Sequence, residues 1–196
     1  MFSHFRRFSL NFCKPTLHSD ILPRNSLYQI ILQRYGAQNS TDNSLNLASP
    51  ITNEVFIRLK EDSVTDVTSK IELIDHAFPN WSSQTGKHRA EIIKKFGALI
   101  EKYRQELAEL LSAENGKPVA ESFTEVGYGV NACDWFAGEA KRHYGQVIPS
   151  AQPNHKWFTQ SSAVGPCAMI TPWNFPAAMV TRKSLQCVLN GGLIKC

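Results

Sequence analysis

At 196 residues, 42% apolar and 19% charged, the chain has the composition of a folded domain rather than a disordered or fibrous one, and it contains no apolar run near the roughly 18–20 residues of a membrane span. Its net charge of +4 sits entirely in residues 1–34, which hold five basic residues and one acid; the other 162 residues balance at 16 and 16, which speaks against a nucleic-acid-binding face. Five cysteines without paired spacing speak against both a disulfide framework and a zinc site, so no metal is expected.

The opening "MFSHFRRFSLNFCKPTLHS" spaces Phe2, Phe5, Phe8 and Phe12 three to four residues apart, with Arg6 and Arg7 between them and no acid before Asp20. That is the composition of an amphipathic mitochondrial presequence over residues 1–35, and a reducing matrix suits free thiols. Residues 36–50, polar and turn-rich, read as a linker or extended lead-in. Asn53–Leu59 ("NEVFIRL") reads as a strand. Asp66 is placed to cap a helix over Val67–Phe78, with Pro79 stopping it. From Lys87 to Asn115, Ile92, Phe96, Leu99, Tyr103, Leu107, Leu110 and Leu111 recur at helical steps, with a break expected near Tyr103–Arg104. Gly116 suits a left-handed stop, and Pro118 cannot continue the helix.

A third helix is expected over Val119–Tyr144, striped by Phe123, Val126, Val130, Cys133 and Phe136 or Ala137, with Gly145 ending it. Residues 145–163 read as a hairpin whose turn is "AQPNH". "PCAMI", 166–170, is an all-apolar run fitting a strand buried on both faces of a parallel sheet. A loop, "TPWNFP", leads to a helix that starts at Pro176 and runs to about Leu189. "NGG" stops it, and "LIK" begins a second strand.

Ligands of open α/β sheets lie beyond the C-terminal ends of strands, where "TPWNFP" falls. Pro176 also keeps Phe175 out of helical geometry. Asn174 in the middle has two readings. One is a cap on the helix that follows. The other is a side-chain amide held to donate to a developing oxyanion, a role worth ~10²–10³ in rate. Arg182, eight residues on, carries a donor fork that fits a carboxylate; its plain reading is a solvated helix arginine. Lys183 points to another face and reads as a surface residue. Trp173 and Phe175 read locally as packing residues.

"ITPWNFPAAMVTRK", with "WFAGEAKRHYG", "LLSAENGKPVAES" and "SPITNEV" upstream in order, resembles the aldehyde dehydrogenase superfamily, in particular its succinate-semialdehyde dehydrogenase branch. The likeness covers roughly residues 48–190. It implies an α/β fold of which this chain is the N-terminal part. Residues 51–144 would be a helical lead-in, 145–163 an oligomerisation hairpin, and 164–196 the first strand–helix unit of a Rossmann-like cofactor domain. It implies oxidation of succinate semialdehyde to succinate by a homo-oligomer. A cysteine thiolate attacks the aldehyde, hydride passes to NAD or NADP, and a glutamate-activated water releases the acid. It makes Asn174 the oxyanion donor, with capping as a compatible second task, and Arg182 the clamp on the substrate's far carboxylate. It sets Thr171, Pro172, Trp173 and Lys195 on the cofactor side.

The chain also departs from that pattern. The family's nucleophilic cysteine and general-base glutamate belong to blocks downstream of residue 196. Cys13, Cys133, Cys167, Cys187 and Cys196 read as small buried or incidental residues instead. Lys195 comes four residues after Gly191, and no proline follows. Three readings follow: the N-terminal part of a dehydrogenase subunit, inactive by itself; a non-catalytic short subunit that joins full-length ones; or a fragment of a longer reading frame.

Overall fold

Two antiparallel strands open the portion of the chain that the computed structural model describes, residues 44–53 and 55–192. Strand β1 (Ser44–Ala48) pairs with β2 (Val55–Lys60) in the register Leu47↔Ile57, and a bulge follows at Leu47/Ala48. The connection closes through Asn53 N–H donating to the Ser49 carbonyl at 2.8 Å. Asn53 itself takes φ 60°, which asparagine tolerates well. The last part of the predicted linker is therefore a strand, and β2 falls on the predicted 53–59 segment. The predicted presequence, residues 36–43, the predicted strand Leu193–Lys195, Cys13 and Cys196 lie outside the described residues.

Helix α1 spans Val64–Ser82, longer at both ends than predicted. Asp66 is not its cap but the third helical residue. Ser63 is the cap: its hydroxyl accepts from Asp66 N–H at 3.1 Å, and the Asp66 carboxylate accepts from Ser63 N–H at 2.9 Å. This reciprocal box explains the earlier start. Pro79 lies within the last turn, where its missing N–H removes a single ladder bond near the end. None of α1's residues is buried.

Helices α2 (Gly86–Lys102) and α3 (Arg104–Asn115) are separated at Tyr103, as the sequence predicts. Thr85 caps α2 by accepting from His88 N–H at 3.2 Å. Gly116 ends α3 at φ 81°, donating to the Ser112 carbonyl at 2.8 Å. Helix α4 (Val119–Glu139) starts where predicted but stops five residues short of Tyr144; a turn at 140–141 follows. The hairpin is short: β3 (Val147–Ile148) against β4 (Trp157–Phe158). Helix α5 (Pro176–Leu189) begins at its predicted proline; Asn190 caps its end, and Gly191 follows at φ 79°.

The core is a three-helix crossing of α2, α4 and α5, with α3 laid along α4. It is packed by small residues. Ala90, Ile93, Cys133, Ala137, Ala140, Leu185 and Leu189 form one cluster; Ala108, Leu111 and Val126 form another. This corrects the predicted stripe of α2, whereas on α4 the predicted Val126, Cys133 and Ala137 are buried and Phe123 departs. The inward face of α2 is Ala90, Ile93 and Gly97, while Ile92, Phe96 and Leu99 are exposed, and so is Phe123 on α4. Small side chains let the helix axes approach, and the large ones are left at the flanks.

The predicted strand 166–170 forms no ladder: Cys167 is half-buried and Ile170 is 70% exposed. A parallel strand exists only beside a hydrogen-bonding neighbour, and none of the described residues lies alongside it in a sheet. The described chain is thus mostly helical, with two short antiparallel sheets.

Candidate functional site

Helix α5 begins with an unusual cap. Phe175 occupies the cap position at φ −135°, ψ 66°, and no side-chain hydrogen bond comes from that position. The free amides of the first turn are instead met from another helix. Glu125 of α4 points its Oε1 at the start of α5 and accepts from Ala177 N–H at 2.9 Å and Ala178 N–H at 3.3 Å. A carboxylate there also meets the positive end of the helix dipole. Its second oxygen, Oε2, accepts from Lys117 Nζ at 2.5 Å. Glu125 is only 1% exposed and Lys117 is 13% exposed, so the ion pair is largely withdrawn from water.

The same ammonium reaches the loop. Lys117 Nζ donates to the Asn174 carbonyl at 3.0 Å and lies 4.7 Å from the centre of the Phe175 ring. Asn115 Nδ2 donates to the Trp173 carbonyl at 3.3 Å. The α3–α4 corner, "ENGKP" in the sequence, thereby holds consecutive carbonyls of the loop while α4 holds the amides beyond it. Glu125 fits because small neighbours surround it. Ser122, one turn earlier, is fully buried and shares a hydrogen bond with Ser112 at 2.9 Å. Gly129, one turn later, lets α5 approach: a Cβ there would meet Thr181 Oγ1 at 3.1 Å.

The predicted residues fall as follows. Asn174 is exposed at the apex of the loop, and the capping role read for it belongs to Glu125. Thr171 is half-buried, Pro172 is exposed and Trp173 is 71% exposed. Gly127, Gly129 and Ala132 have the spacing of a phosphate-binding turn, but they lie inside α4, where Arg104 and Thr181 press on the glycines. Arg182 is exposed on α5, about 9 Å along the axis from Pro176 and about 240° around it. The helix by itself therefore does not bring Arg182 over Asn174. Lys195 lies outside the described residues.

Cys133 is buried, and Cys167 and Cys187 are half-buried. Burial pushes Cys133 up to about 11. Burial pushes Cys187 up to about 12, and a hydrogen bond with the Cys167 thiol adds to the effect. Thiolate is the attacking form, so neither Cys133 nor Cys187 is poised as a nucleophile at neutral pH. Among the described residues, no group of three or more acidic, histidine or cysteine side chains could hold a metal, and no helix is long and apolar enough to cross a membrane.

Sequence reading missed Lys117 and Glu125. The available signal was an acid on the inward face of α4, beside Val126 and between Ser122 and Gly129, with a lysine eight residues before it.

Residues 37–194 match the model of the aldehyde dehydrogenase family. A glutarate-semialdehyde dehydrogenase of Pseudomonas putida is 38% identical over 141 residues, which is 72% of this chain and 29% of that protein. A mitochondrial succinate-semialdehyde dehydrogenase of Arabidopsis thaliana is 34% identical over 154 residues, 78% of this chain and 29% of that protein. A crystal structure of an Escherichia coli NADP dependent enzyme superposes with a TM-score of 0.75 at 32% identity, covering 78% of this chain and 32% of that one. The chain thus spans less than a third of the length of these relatives.

Proposed function

Because this chain belongs to the aldehyde dehydrogenase family, we propose that it forms one wall of a site that oxidises an aldehyde bearing a distant carboxylate to the diacid. The aldehyde and a water become the acid, and NAD or NADP, when bound, accepts the hydride. Asn174 donates its side-chain amide to the aldehyde oxygen as negative charge builds there. Arg182 pairs with the far carboxylate as a bidentate fork. Thr171, Pro172 and Trp173 border the cofactor, and Lys195 is assigned to the same side. The cysteine nucleophile and glutamate base are contributed from outside the described residues, in keeping with the Cys133 and Cys187 thiols being raised by burial. The semialdehyde substrates named for the relatives support the substrate class.

The observation that carries this reading is Asn174, exposed at the apex of a loop whose carbonyls on either side of its side chain are tied down. In an active enzyme containing this sequence, Asn174→Ala lowers kcat by about 10²–10³. Arg182→Gln raises KM for a semialdehyde by about tenfold, the loss of roughly one charge-assisted pair, and leaves an uncharged aldehyde unaffected. Equal effects on both substrates would remove Arg182 from the site. The 196-residue chain alone produces no reduced cofactor.

The same reading extends to assembly and address. The hairpin exposes Val147, Ile148, Trp157 and Phe158, and it serves as the contact arm of a homo-oligomer. Residues 1–35 direct import into the mitochondrial matrix, in keeping with the Arabidopsis relative's name. Sedimentation of the hairpin variant Trp157→Ser and an import assay of the leader test these two points.

A further inference from the structure

The geometry points to Lys117 and Glu125 as positioning residues for Asn174, an inference that rests on the proposed role of Asn174 as oxyanion donor. The side chain of Asn174 leaves the protein from a segment held on both sides. Upstream, the Trp173 carbonyl is bound by Asn115 and the Asn174 carbonyl by Lys117. Downstream, the Ala177 and Ala178 amides are bound by Glu125. Lys117 and Glu125 are themselves joined at 2.5 Å, so the two restraints form one unit. The Phe175 ring sits against the same ammonium and limits rotation of the backbone between them.

Capping alone does not require this arrangement. A serine or aspartate at position 175 would cap α5 in water. A carboxylate 1% exposed must be desolvated, and a buried pair regains that loss only with good geometry and further hydrogen bonds. What the buried pair adds is a fixed relation between the α3–α4 corner and the loop apex. An oxyanion donor needs that relation: a misplacement of about 1 Å can lower a rate by about a hundredfold. Toward the loop and α5, Lys117 and Glu125 bind backbone groups and not the Asn174 side chain, so they act on Asn174 by positioning it.

Two measurements test this. On the 196-residue chain, amide exchange by mass spectrometry reads the restraint without turnover. In Lys117→Met, peptides covering 173–180 exchange about tenfold faster, while Lys117→Arg stays near wild type and α2 peptides are unchanged. Glu125→Gln, which keeps one acceptor, shows a smaller local increase. Unchanged exchange at 173–180, or an equal increase across α2, overturns the clamp. In an active enzyme containing this sequence, Lys117→Met lowers kcat by about tenfold or more at unchanged KM, and Lys117→Arg restores most of it. Asn174→Ala is the separating arm. If it leaves kcat unchanged, the reading of Asn174 fails whatever the clamp does. If it lowers kcat and Lys117→Met does not, the clamp inference alone fails.

Discussion

Replacing Gly97 by alanine tests whether α2 and α4 really cross through small residues. In an isolated helix the change would add about 1 kcal/mol of stability, because glycine is a poor helix former. Here a Cβ at residue 97 would sit 2.7 Å from the Cys133 Cβ and 3.4 Å from its Sγ. Carbon pairs settle at about 3.5–4.0 Å, so the contact is short by about 1 Å. Both carbons are attached directly to helix backbones, and no rotamer relieves the overlap. The helices must separate, which loosens the cluster around Ile93 and Ala137. Overpacking of this kind costs about 1–3 kcal/mol, so after the helix-propensity gain of about 1 kcal/mol the net expectation is a destabilisation of up to about 2 kcal/mol. Urea unfolding followed by circular dichroism measures it, and a mutant cycle identifies the partner atom. Cys133→Ala keeps the Cβ and leaves the cost of Gly97→Ala largely intact. Cys133→Gly removes that carbon and cancels most of it, a coupling of about 1 kcal/mol or more. A stabilising Gly97→Ala, or equal rescue by Cys133→Ala and Cys133→Gly, would refute the close crossing.

Two further expectations follow from the described structure. The Cys133 thiol is raised from 9.0 to about 11 by burial, so its contribution to stability is complete below pH 9 and is lost as pH rises toward 11. The urea midpoint should therefore fall above pH 9 more steeply in the wild type than in Cys133→Ala; parallel curves would sink the assignment. At Gly116, φ is +81° and a Cβ would meet Pro50 Cγ at 2.7 Å, so Gly116→Ala should cost at least about 1–2 kcal/mol in a thermal melt. A raised melting temperature would contradict the left-handed stop.

Much of the helical order was legible in the residues. The break at Tyr103, the stop at Gly116 and the start at Pro176 each rest on a local rule of backbone geometry, and each appears in the structure. The start of α1 was misplaced because Asp66 satisfies two rules at once, cap and capping-box partner, and Ser63 settles which one applies. On α4 the expected Val126, Cys133 and Ala137 do face inward, but the inward face of α2 differs from its apolar stripe for a different reason. Periodicity weights large apolar side chains, but this crossing is filled by Ala90, Gly97, Cys133 and Ala137, so Ile92, Phe96 and Phe123 fall outside it.

By itself the sequence determined the helices, the hairpin, the family and the loop that carries Asn174, because propensity, capping and motif spacing are written in neighbouring residues. Only the tertiary structure decided what holds that loop. Glu125 lies 52 residues before the Ala177 amide it receives, and Lys117 lies 57 before the Asn174 carbonyl it holds. No local pattern pairs groups so far apart in the chain. They meet because the small residues along α4 let α5 come close enough for one buried carboxylate to reach its first turn.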